Sequence, residues 1–130
     1  MNIDHINISA PKALMEQVRV FYCEMFGMEN GFRPAFNKRG YWLYAGDKPL
    51  IHLQESDQHH ASERPVYLDH VAFRLEGLAT MVDRLESGQV PFRLSQVPEL
   101  NMTQLFFKDP AGTGLEANFI GEFLSAAATR

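Results

Sequence analysis

The pentapeptide Asp4-His5-Ile6-Asn7-Ile8 returns in altered form as Asp69-His70-Val71-Ala72-Phe73, sixty-five residues later. A chain that repeats itself in this way is built twice from one supersecondary unit, each copy too small to bury its sheet alone. Each pentapeptide opens an alternating, strand-like segment, and a stretch of helical periodicity follows it. In the first half Leu14, Val18, Phe21, Tyr22 and Met25 keep the three-to-four spacing of one helix face. Pro11 suits the first turn of that helix, and Gly27 a left-handed cap. In the second half Leu78, Met81, Val82 and Leu85 form a shorter stripe that Gly88 ends. Three extended segments follow each helix: residues 32–36, 41–45 and 50–54, then 92–97, 104–107 and 115–119. Asp47-Lys48-Pro49 and Asp109-Pro110-Ala111-Gly112 supply the matching turns.

The expected fold class is therefore α+β: two tandem βαβββ modules forming a curved mixed sheet cup, with helices on the outer face and the inner face left for a ligand. Residues 1–121 read as a single domain, with module 1 at about 1–55, a polar linker at 56–64, module 2 at about 65–121 and a C-terminal tail at 122–130. With 130 residues, 45% of them hydrophobic and 22% charged, the chain has enough apolar side chains for a core and too many for a disordered polymer. No apolar run nears the roughly 18–20 residues that span a bilayer. The opening Met1-Asn2-Ile3-Asp4-His5 has neither the basic nor the apolar part of a signal peptide. A cytoplasmic protein with no membrane partner is the expectation. A net charge of −4, with the twelve basic residues scattered, argues against nucleic acid as a partner. Cys23, the one cysteine, fits a reducing compartment and reads as a small buried apolar residue.

Side chains alternate across a strand, so each extended segment sorts by parity. Ile6, Ile8, Leu43, Ala45, Ile51 and Leu53, with Val71, Phe73, Leu105, Phe107, Leu115 and Phe119, fall on the side expected to pack beneath the helices. The other side gathers His5, Asn7, His52, Gln54, His70, Arg74, Glu116 and Asn118, with Trp42, Tyr44, Gln104 and Phe106. A polar floor with aromatic walls is the composition of a small-molecule pocket. His52 and Glu116 stand sixty-four residues apart, close to the period that relates His5 to His70, so these four metal-competent residues form two repeat-related pairs. Imidazole and carboxylate suit one borderline divalent ion per site, and Fe, Mn, Ni, Co and Zn remain open. Arg33 and Arg39 read first as solvated surface residues, with attraction of an anion to the pocket mouth as the alternative. His59-His60 lacks strand context and reads as solvated linker.

Five motifs together resemble the vicinal oxygen chelate superfamily, which includes glyoxalase I, extradiol dioxygenases, methylmalonyl-CoA epimerase and the fosfomycin and bleomycin resistance proteins. They are Asp4-His5-Ile6-Asn7-Ile8, Phe21-Tyr22 followed by Phe26-Gly27-Met28, Trp42-Leu43-Tyr44-Ala45-Gly46-Asp47, Asp69-His70-Val71-Ala72-Phe73, and Asp109-Pro110-Ala111-Gly112 leading to Leu115-Glu116. The resemblance implies a divalent metal held by His5, His70 and Glu116, with His52 at the remaining ligand position. Glyoxalase I commonly has a carboxylate there, and extradiol dioxygenases hold Fe(II) with two histidines and a glutamate. His52 is thus expected either on the ion or beside it as an acid or base. The implied function is a glyoxalase-like lyase or isomerase that chelates adjacent oxygens of a small molecule and stabilises an enolate or oxyanion, with Glu116 and His52 moving protons. Trp42, Tyr44, Arg74, Gln104, Phe106 and Asn118 are the expected substrate contacts. An Fe(II) extradiol-type dioxygenase and a metal-free binding protein of the bleomycin resistance kind are the alternatives. A homodimer is expected, since members assemble the site within one chain or between two.

Overall fold

The computed structural model describes residues 1–57 and 68–125, so His59, His60, most of the expected linker and the end of the expected tail lie outside the described residues. The chain divides into two compact units, Met1–Arg64 and Pro65–Arg130. The first contains β1 (Ile6–Ala10), α1 (Lys12–Phe26), β2 (Glu29–Gly31), β3 (Gly40–Ala45) and β4 (Lys48–Glu55). The second contains β5 (His70–Arg74), α2 (Leu78–Ser87), β6 (Arg93–Val97), β7 (Met102–Lys108) and β8 (Gly114–Ile120). Their sheets run β1-β4-β3-β2 and β5-β8-β7-β6, the same order in the same sense. In each the first strand lies parallel to the last, and the rest of the sheet is antiparallel. The repeat in the sequence is therefore a repeat of βαβββ topology.

In the first unit α1 buries Met15, Val18, Phe21, Tyr22 and Met25, and Gly27 caps it at φ 67°. Met15 takes the buried place expected of Leu14, which stays half-exposed one position round the helix. Leu43, Ile51 and Leu53 are 0–1% exposed, each worth roughly 1.5–3 kcal/mol of apolar burial. Tyr41 shares their parity, and its hydroxyl donates to Glu16 of α1, which places the helix on that face of the sheet. Trp42, His52 and Asn7 stand on the opposite face, one residue out of step.

Two further expectations are corrected here. The second strand is residues 29–31, not 32–36. Pro34 has no N–H to give a ladder, and Phe32 and Phe36 are exposed. The ladder instead uses Gly31, whose missing Cβ leaves room for the Tyr44 ring; a Cβ there would lie 2.7 Å from it. Ala45 is exposed rather than in the core, because the register shifts between Leu43 and Tyr44 and the strand then runs out into the turn at Gly46.

In the second unit α2 buries Leu78, Met81, Val82 and Leu85 as its spacing predicts. Leu105, Ala117 and Phe119 are fully buried. Val71 and Phe73 are only half-buried, as are Ile6 and Ile8, because β1 and β5 are edge strands of their sheets. The start of the expected tail is tied down. Glu122 accepts hydrogen bonds from the backbone N–H groups of Gly77 and Leu78 at the start of α2, and its own carbonyl accepts one from the Thr103 hydroxyl. The carboxylate so answers amides that no side chain within α2 caps. Among the described residues no helix is long and apolar enough to cross a membrane.

Candidate functional site

The repeat places His52 and Glu116 in the same slot of their sheets. His52 on β4 lies between Asn7 and Trp42, and Glu116 on β8 lies between Ala72 and Phe106. His5 and His70 stand at the entrances of β1 and β5. Each has its Nδ1 2.8 Å from the carboxylate of the aspartate just before it, Asp4 or Asp69. An imidazole that gives its Nδ1 proton to a carboxylate keeps the Nε2 lone pair open, the arrangement that second partners impose on metal-binding histidines. Residue-type reasoning found the histidines but gave these aspartates no role; the signal was the Asp-His dipeptide recurring in both halves.

In the second unit the Nε2 of His70 lies 3.6 Å from Glu116 Oε1. The other carboxylate oxygen, Oε2, accepts from Gln104 Nε2 at 3.1 Å and from Asn118 Nδ2 at 2.8 Å. These two amides, expected to meet substrate, are turned onto the carboxylate. The Oδ1 of Asn118 is buried without a partner. Glu116 is 13% exposed in its side chain, against 48% for His70. The hydrogen bond that His70 donates to Asp69 favours the charged form of the imidazole and raises its pKa, with smaller help from the charges of Glu116 and Asp69. Arg74 is exposed on Glu116's face, opposite Asn118 in the register. Phe106, beside Glu116, carries the Arg93 guanidinium 4.3 Å above its ring.

In the first unit the rings form a pile. His5 stacks on His52 at 3.8 Å and 8°, and His52 on Trp42 at 4.1 Å and 14°. His52 donates from Nε2 to the Pro49 carbonyl at 3.0 Å. Burial, followed by repulsion from His5, lowers its pKa and keeps the imidazole neutral. The lone pairs of two nearly parallel rings lie in separate planes, so His5 and His52, as placed, do not aim at one ion together. Tyr44 is occupied elsewhere: its hydroxyl donates to the Phe32 carbonyl at 2.7 Å. Beside the pile opens a cleft of ≈ 490 Å³ bordered by His5, Arg33, Phe36, Lys38, Trp42 and His52. Arg39 does not line it; that residue borders an adjoining depression with Lys12 and Tyr41, which shares Arg33, Phe36 and Lys38 with the cleft. Among the described residues no group of three or more His, Cys, Asp or Glu side chains is gathered for a metal ion.

Solved structures with the same arrangement of elements share it over almost the whole chain. A glyoxylase/bleomycin resistance protein/dioxygenase domain from Frankia sp. EAN1pec matches with a TM-score of 0.76 at 19% identity, covering 95% of each chain. The fold is that of the vicinal oxygen chelate proteins. Lactoylglutathione lyase from Agrobacterium tumefaciens shares this vicinal oxygen chelate fold with a TM-score of 0.64 at 18% identity, over 91% of this chain and 92% of that one. A mutant fosfomycin resistance protein from Listeria monocytogenes, complexed with Mn(II) and dihydroxypropylphosphonic acid, does so at 0.69 and 15% identity, over 98% and 95%. No protein-family model matches the sequence, and no curated protein does.

Proposed function

We propose that this protein is a divalent-metal-dependent enzyme that takes a small substrate by two adjacent oxygens and stabilises the enolate or oxyanion derived from it, a lyase or isomerase of the glyoxalase type. The observation that carries the reading is the pair His70 Nε2 and Glu116 Oε1, 3.6 Å apart and each braced from behind, His70 by Asp69 and Glu116 by Gln104 and Asn118. The gap is too long for a hydrogen bond. Two donors each about 2.0–2.2 Å from one ion, at an angle somewhat above a right angle, stand about 3–3.6 Å apart. His70, Glu116 and His5, whose Nε2 is left open in the same way, are the proposed ligands. The likeness in fold to a protein complexed with Mn(II) supports a divalent ion as the partner of these groups.

A divalent ion bound by these groups would supply Lewis-acid polarisation of a substrate carbonyl. The chain's own residues do the rest. Glu116 receives and returns the substrate proton, its carboxylate held in place by the two amides on Oε2. His52, kept neutral by burial and already using Nε2 on Pro49, offers Nδ1 as a second proton acceptor. Arg74 faces an anionic part of the substrate, and Trp42 and Phe106 its apolar part. The working form is proposed to be a cytoplasmic homodimer, for which light scattering should give twice the chain mass.

The test is to strip the protein with chelator, restore Fe(II), Mn(II), Ni(II), Co(II) or Zn(II) in turn, and measure bound metal and turnover of a glutathione hemithioacetal and of catechols. One ion per site with hemithioacetal turnover supports the proposal, and ring cleavage of catechols moves the protein to the dioxygenase class. Metal-free protein that still binds planar compounds supports a second reading, a sequestering module, which the aromatic pile of the first unit favours.

A further inference from the structure

The cleft of the first unit contains a cation with no counterion among the described residues. Arg33 is half-buried, and among the described residues no carboxylate pairs with it. One of its terminal nitrogens donates to the Lys38 carbonyl at 3.1 Å, its Nε is buried without an acceptor, and Phe36 lies over the guanidinium at 4.8 Å. Gly40 makes the placement possible. A Cβ at that position would lie 2.9 Å from an Arg33 nitrogen and 2.0 Å from the Leu53 carbonyl. Lys38 adds a second positive charge to the lining. Among the described residues that line it the one acidic side chain, Asp4, already binds His5. A guanidinium taken partly out of water and left unpaired costs free energy that an anion would recover.

The remaining wall is flat and aromatic. Phe36 tilts against Trp42 at 6.2 Å, and Trp42, His52 and His5 continue as stacked rings. We propose that this cleft binds a planar conjugated carboxylate, its charge at Arg33 and Lys38 and its flat body along Phe36, Trp42 and the His52–His5 stack. As the substrate class of the enzyme, this rests on the metal reading above. As a binding site it does not, because every residue invoked belongs to the first unit and none of the binding contacts needs an ion.

Trp42 is the single tryptophan of the chain, so its fluorescence reports this cleft alone. The probes are trans-cinnamate and its neutral counterpart cinnamamide, titrated into the full-length protein both with chelator and after metal loading. Cinnamate should perturb Trp42 emission saturably in both conditions and bind about tenfold or more tighter than the amide, the scale of one charge-assisted hydrogen bond. Arg33→Gln should remove that preference, Arg33→Lys should restore part of it, and Arg39→Gln, outside the cleft, should leave it unchanged. Circular dichroism checks that the variants fold, and Lys38→Gln, on an exposed side chain, should weaken cinnamate binding even if Arg33→Gln does not fold. Equal affinity for acid and amide, no binding of either, or a preference that survives both Arg33→Gln and Lys38→Gln would overturn the proposal. Cinnamate binding that persists in chelator while no metal is retained after loading would sink the metal reading and leave this one standing.

Discussion

At the level of single residues, Glu116 is the side chain whose surroundings are most fully committed to it. Gln104 and Asn118 both donate to one carboxylate oxygen and so decide which oxygen faces His70. Replacing either amide with alanine frees the carboxylate to rotate. Asn118→Ala and Gln104→Ala are each expected to weaken metal binding about ten- to hundredfold, read by competition with a chromogenic chelator. The histidines differ in a way that a nitrogen-detected NMR titration of metal-free protein can separate. His52 should take up its proton below the ordinary histidine value, since burial and His5 oppose its charge, and His70 above it, since Asp69 supports the charge. A folded-state pKa lowered in this way means that the stability linked to His52 is complete above about 6.5 and is lost as pH falls towards the lowered value. For His70 the raised value means the reverse: its contribution is complete below about 6.5 and is lost as pH rises through the folded-state value. Parity found these residues because it says which face a side chain occupies. It could not say that Gln104 and Asn118 turn to Glu116 instead of to a ligand, since that depends on rotamers chosen by partners on neighbouring strands.

At the level of elements, α1 is fastened to its sheet by a polar contact as well as by its apolar stripe. The Tyr41 hydroxyl bond, then Arg19, holds the Glu16 carboxyl below its ordinary value, and the same bond raises the Tyr41 phenol. The contribution of Glu16 is therefore present above about pH 4.5 and lost as pH falls through the lowered folded value, while that of Tyr41 is present below about pH 10 and lost as pH rises through the raised one. Tyr41→Phe should cost about 0.5–1 kcal/mol in urea unfolding at pH 7 and flatten both edges of the stability profile, a modest figure because the pair is partly solvated. The order of elements was legible in the sequence because the two halves corroborate each other: α2 buries the four residues its spacing names. The second strand was not. Glu29, Asn30 and Gly31 carry no hydrophobic alternation, and their strand exists because the backbone pairs with Trp42, Leu43 and Tyr44 and because Gly31 admits the Tyr44 ring. Phe32 and Phe36, which do alternate, are exposed residues of the following loop.

At the level of the whole molecule, two units of one topology each carry a pair of candidate ligand residues, His5 with His52 and His70 with Glu116. If the second pair is a metal site, an ion at about a hundred times its dissociation constant should stabilise the fold by roughly 2.7 kcal/mol and raise the melting temperature by roughly 10 °C, reversed by chelator. Differential scanning fluorimetry reads this directly, and Glu116→Gln should abolish the shift. The sequence period announced the duplication, but neither composition nor spacing revealed that residues past the last strand are part of the second unit's framework. Glu122 lies there, bound to the first amides of α2. A protease that clips after Gly121 would spare β1 to β8 with α1 and α2 yet release this anchor, so such a product should lose its protection against amide exchange first at the opening turn of α2.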